Sequence, residues 1–69
     1  MSTRRIQLDL PDKAVERLQA LKAKTEAISY AEVIRNALRL YEAVVEEAEA
    51  GSTFQLKLRD GTIKEYLVL

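Results

Sequence analysis

The segment RRIQLDLPD, residues 4–12, alternates apolar Ile6, Leu8 and Leu10 with polar Arg5, Gln7 and Asp9. A period of two belongs to a β-strand with one dry and one wet face. It constrains the fold more than any other feature, because a strand cannot satisfy its own amides and carbonyls and must pair along an edge. No second strand pattern follows until residue 53. Two solutions are open. The chain's own C-terminal segment returns to the strand, giving a monomeric α+β domain with a three-stranded sheet. Alternatively, the same strand of a second copy pairs with it antiparallel about a two-fold axis, giving a two-stranded ribbon shared by a dimer.

Between the strand patterns the period changes to that of helices. Val15, Leu18, Leu21 and Thr25 recur at helical spacing, Pro11 pre-sets the first turn and Asp12 suits the positive end of the helix dipole, so a helix is expected from about Asp12 to about Thr25. No glycine closes it. Ser29 and Glu32 then stand in the S-x-x-E relation of a capping box. Beyond them Val33, Ile34, Ala37, Leu38, Tyr41, Val44, Val45 and Ala48 form a broad apolar face, which predicts a long helix from about Tyr30 to about Ala50, stopped by Gly51. Glu46, Glu47 and Glu49 oppose the dipole at that end and favour fraying of the last turn. They read as a solvated helix end and not as a metal site, since no loop organises their oxygens.

The tail TFQLKLRDGTIKEYLVL reads as two strands around Asp60-Gly61, the dipeptide suited to a two-residue type I′ turn. That turn sets Leu58 opposite Ile63, Leu56 opposite Glu65 and Phe54 opposite Leu67, with one largely apolar face. A bare hairpin is too weak to stand alone and needs a surface to pack on.

With 69 residues the chain holds one small core at most and gains from burial against a copy of itself. It has no cysteine and no histidine, which removes disulfides, thiolate or imidazole metal sites and the commonest general base. No side-chain cluster offers a nucleophile beside a base or a cofactor pocket, so neither an enzyme nor a cofactor is expected. No apolar run suits a membrane span and no secretion signal is visible, so a cytoplasmic protein is expected. Eleven basic and eleven acidic residues cancel, which by itself disfavours a nucleic-acid partner. Their distribution is uneven: residues 1–24 carry six Lys/Arg against three Asp/Glu, and residues 25–50 carry two against six.

The order of RRIQLDLPD, an amphipathic helix and ISYAEVIRNAL resembles the ribbon-helix-helix family of dimeric DNA-binding proteins, of the MetJ, Arc and CopG type. ISYAEVIRNAL is similar to the family's frequent pattern of Ser, two variable residues, an acidic or small residue, then hydrophobic-Ile-Arg-x-Ala. The resemblance covers Arg4 to about Glu47. It implies a mainly α, α+β fold: a ribbon-helix-helix homodimer with an intermolecular two-stranded antiparallel β-ribbon. Residues 1–50 would then form the DNA-binding and dimerisation domain, and residues 51–69 a C-terminal β-hairpin extension.

Carried over, the resemblance implies that Arg5, Gln7 and Asp9 face bases in the major groove. Ser29 and the amides after it would grip a phosphate, and Ile6, Leu8, Leu10, Ile34 and Ala37 would enter the dimer core; Arg4 and Tyr30 are further candidates for phosphate contact, and Leu38 and Tyr41 for the dimer core. Two positions depart from the pattern. The family often has Gly where Ala27 stands, and Asp9 is an acid where a neutral or basic reader is usual, so it either accepts a bond from cytosine or does not touch DNA. The expected partner is double-stranded DNA with a palindromic or repeated operator, bound by a homodimer or by dimers side by side. Three functions are carried forward: a transcriptional repressor, the antitoxin of a toxin-antitoxin pair, and a protein-only dimerisation or adaptor module whose hairpin recruits a protein partner.

Overall fold

The computed structural model describes residues 2–68. In chain order it contains α1 (Asp12–Thr25), α2 (Tyr30–Glu49), β1 (Phe54–Lys57) and β2 (Ile63–Tyr66). Two compact units divide the chain, Met1–Val33 and Ile34–Leu69.

In the first unit, residues 2–11 have no regular secondary structure. Both helix boundaries of α1 fall where the sequence put them. Pro11 takes φ −59° and ψ 155° just before the helix, and its carbonyl accepts the amides of Ala14 at 2.9 Å and Val15 at 3.1 Å. Thr25 ends the helix with its hydroxyl donating back to the Leu21 carbonyl at 2.7 Å. The half-buried stripe of α1 is Ala14, Leu18 and Lys22, a row of i, i+4 and i+8, whereas Val15 and Leu21 stay exposed.

The turn between the helices closes without glycine. Glu26 adopts the left-handed conformation at φ 57° and ψ 30°. The amide of Ala27 donates to the Lys22 carbonyl at 3.1 Å, and that of Glu26 to the Ala23 carbonyl at 3.3 Å. This is the Schellman pattern, which satisfies the last carbonyls of α1. It also resolves the glycine departure. The strained residue is Glu26, and Ala27 is instead buried, at 8% exposure.

In the second unit α2 ends in the same motif, this time on Gly51 at φ 95°. The Ser52 amide donates to the Glu47 carbonyl at 2.9 Å and the Gly51 amide to the Ala48 carbonyl at 3.1 Å. The Ser52 hydroxyl donates to Glu47 Oε1 at 3.0 Å, so one of the three terminal glutamates helps to close the helix it was expected to loosen.

β1 and β2 pair antiparallel in a two-stranded sheet, with Phe54 opposite Tyr66, Gln55 opposite Glu65, Leu56 opposite Lys64 and Lys57 opposite Ile63. The hairpin is present, but its register is one residue away from the expected one. A type I′ turn needs positive φ at both central residues. Gly61 has φ 92° while Asp60 is not among the positive-φ residues. The loop is therefore three residues, Arg59 to Gly61: Gly61 donates to the Leu58 carbonyl at 3.0 Å and Leu58 donates to the Thr62 carbonyl at 2.7 Å. Asp60 Oδ1 accepts the Thr62 amide at 2.9 Å, a side-chain bond that competes with the tighter turn. Because side chains alternate, the slip moves Ile63 and Leu67 away from the face of Phe54, Leu56 and Leu58.

On that face Phe54 and Tyr66 stack edge to face, with centroids 5.7 Å apart and planes at 67°. Phe54, Tyr66 and Val68 line shallow, open apolar cavities together with Leu40, Val44 and Ala48 of α2.

Candidate nucleic-acid interface

The N-terminal segment presents all its side chains to solvent. Arg4, Arg5, Gln7 and Asp9 are exposed, and so are the residues expected in a core: Ile6 at 80%, Leu8 at 62% and Leu10 at 42%. Full burial of such a side chain stabilises by about 1.5–3 kcal/mol, so this segment holds a sizeable unused driving force. Among the described residues the sheet consists of β1 and β2.

Ser29 caps α2, its Oγ accepting the Glu32 amide at 3.1 Å. A hydroxyl used as acceptor still has its proton to donate, so Ser29 can bond a phosphate oxygen while it caps. The first amides of the helix point the same way and carry the positive end of its dipole. Glu32 in the first turn suits that dipole but opposes an anion there.

Tyr30, exposed at the helix start, lies under a cation that sequence reasoning missed. Lys22 Nζ sits 5.6 Å from its ring centroid. The two residues are eight positions apart on different helices, and only the Glu26 turn brings them together. No local pattern signals the pair. Lys22 thus adds a positive charge beside Tyr30.

Along α2, Ile34, Leu38 and Tyr41 form an exposed row at helical spacing, with Ala37 within it. Leu40, outside that row, is also exposed and widens the apolar surface toward Val44. Among the described residues only Ala27 and Val33, at 8% and 6% exposure, are buried. The apolar side chains of α2 thus lack the cover they would have in a self-sufficient domain.

The model of the CopG family of ribbon-helix-helix proteins matches residues 4–43, more than half of the chain. The chain belongs to this family. Its members generally bind DNA, as dimers, and serve as transcription regulators or antitoxins. The CopG-family region takes in the N-terminal segment, α1, the Glu26 turn and α2 as far as Ala43, and stops short of β1 and β2. Arg5, Gln7 and Asp9, Ser29 and Tyr30, and the apolar row of α2 from Ile34 to Tyr41 all fall inside it. No curated protein and no solved structure matches the chain. No described helix is long and apolar enough to cross a membrane.

Proposed function

We propose that the protein is a homodimeric transcriptional regulator, a repressor that binds a specific double-stranded site by laying a ribbon of two N-terminal segments in the major groove. The observation that carries this reading is the family match over residues 4–43, joined to an N-terminal segment whose apolar residues all lie exposed. Residues 1–50 act as the DNA-binding and dimerisation domain and residues 51–69 as an extension.

In the groove, each base pair presents its own donor and acceptor pattern. Arg5 gives two bonds to guanine and Gln7 two to adenine, each good pair discriminating by about 1–3 kcal/mol. Asp9, which can only accept, has the cytosine amino group as its matching base edge. Ile6, Leu8 and Leu10 face inward with Ile34, Ala37, Leu38 and Tyr41 of both copies. Ser29, Tyr30 and the amides after them hold a phosphate, helped by Lys22, and Arg4 holds another. This reconciles DNA binding with zero net charge, because helix amides attract phosphate without formal cations. The two-fold axis requires a palindromic or near-palindromic operator, and dimers side by side on repeated sites raise the affinity. A DNA partner agrees with a cytoplasmic protein.

An antitoxin with the same DNA-binding half is the second reading, since the family serves both roles. The formed hairpin, with Phe54 stacked on Tyr66, favours a regulator over a tail that folds only on a toxin. Selection of bound duplexes from a random pool tests the proposal. A palindromic consensus is expected, and recovery of unrelated sequences at low salt would leave the protein-only adaptor in its place.

A further inference from the structure

The ribbon leaves one quantity open, the residue at which the two-fold axis crosses it, and the inference below rests on the ribbon reading. Two copies of one strand related by such an axis pair residues whose numbers have a constant, even sum, and directly opposed side chains share a face. The position of the axis therefore decides which charges meet. An axis at Arg5 or at Asp9 sets like charges opposite one another, which is destabilising. Pro11 adjoins α1 and has no amide to give, so the ladder ends at Leu10. An axis at Leu8 then pairs only residues 6–10 and leaves Arg5 without an opposite residue. An axis at Ile6 sets Leu10 opposite the partner's Ser2 and Asp9 opposite the partner's Thr3. With the axis at Gln7 the whole alternating segment 4–10 pairs, Ile6 meets the partner's Leu8, and Arg5 meets the partner's Asp9.

We infer that, in a ribbon centred on Gln7, Asp9 of each copy is a positioning residue that holds Arg5 of the other copy on the groove-facing side. Among the described residues neither Arg5 nor Asp9 makes a side-chain hydrogen bond within its own chain, and both are exposed, so both are available to this pair. Two such pairs flank the Gln7 side chains and cancel the charge of the wet face. A phosphate then finds no free guanidinium there, whereas a guanine edge that offers two aligned acceptors competes with the carboxylate for Arg5. Asp9 thereby lowers attraction to arbitrary DNA and keeps Arg5 extended for the matching base.

The chain has no cysteine, so single-cysteine variants read the register directly. Only a residue opposite itself brings two copies within disulfide reach, since the next diagonal position is about 7–8 Å away. Under mild oxidation of the full-length protein, Gln7→Cys is expected to cross-link at least about tenfold faster than Ile6→Cys or Leu8→Cys. Fastest cross-linking at position 6 or 8 overturns the register and leaves the ribbon standing, and no cross-link at any of the three overturns ribbon and register together. Charge exchange gives a second reading. Arg5→Asp and Asp9→Arg singly are expected to weaken dimer association about tenfold, and the double exchange to restore it within about twofold; a double variant as weak as the singles overturns the pairing. Asp9→Asn is expected to raise affinity for arbitrary duplexes and steepen its salt dependence. Loss of binding confined to one base pair of the operator would instead make Asp9 a reader of cytosine.

Discussion

The amide of Ala27 donates to the carbonyl of Lys22 at 3.1 Å, across a Glu26 held at φ 57°. That bond turns the chain from α1 into α2 and brings Lys22 to Tyr30. A left-handed non-glycine residue costs about 1–2 kcal/mol, which the closed turn must offset. Glu26→Gly removes the steric term but adds backbone freedom to the unfolded chain. A net gain of about 0.5–1 kcal/mol is expected, read as a higher urea midpoint at unchanged slope. A lower midpoint would mean that the Glu26 side chain itself holds the turn.

Ser29→Ala removes the acceptor of the Glu32 amide. Stability should fall by about 1 kcal/mol, within the range of lost caps. If the hydroxyl also donates to phosphate, DNA affinity falls further than a destabilised but still folded protein explains. Ser29→Asp separates the two roles: it restores the cap and places a second negative charge where the phosphate would lie, so stability should return while DNA binding does not.

Arg5→Ala should weaken binding to the selected operator by about 1–3 kcal/mol per half-site and relax the preference for guanine at one position of each half. Sedimentation should still show a dimer. Unchanged preference in a gel-shift series would remove Arg5 from the base-reading set.

Leu38 is exposed on α2 in the single chain, so Leu38→Glu would be harmless if that face met water. In a dimer core the new carboxylate must be buried, which costs several kcal/mol. The variant is expected to sediment as a monomer at micromolar concentration and to lose operator binding. A dimer of wild-type stability would place the interface elsewhere.

The Asp60 carboxyl is held below its ordinary value of 3.8, first by the bond from the Thr62 amide and then by the Thr62 hydroxyl beside it. A depressed folded value means that the charged carboxylate stabilises the turn above the unfolded pKa, and that this contribution fades as pH falls through the folded pKa below 3.8. Protection of the Thr62 amide, its exchange relative to the unfolded rate at the same pH, should therefore fall in acid in the wild type, and much less in Asp60→Asn, whose side-chain oxygen still accepts but does not titrate. Equal acid sensitivity of the two would assign the effect to other carboxyls.

Much of the fold was legible because the deciding signals are local. Asp12 to Thr25 and the Ser29 cap follow from helical spacing and from one hydroxyl within reach of an amide three residues on. Gly51 was readable as a helix stop for the same reason. The hairpin register was not, because Asp-Gly suits two turns and the choice fell to a bond between Asp60 and Thr62 that a dipeptide rule does not see. Glu26 was illegible as the turn residue, since nothing in its chemistry favours a left-handed backbone. Of the candidate interface, the N-terminal alternation and the Ser29 cap were read directly from residue types, whereas Lys22 was missed because it reaches Tyr30 only after the turn is made.

The sequence by itself determined the two helices and their limits, the presence of the hairpin and the family, since each depends on periodicity and on neighbours a few residues apart. Only the tertiary structure decided which glutamate bends the chain and which residues face one another in the hairpin. Those outcomes are set by competition among bonds and contacts of about 1 kcal/mol each, made between residues distant in sequence, and no local pattern ranks them.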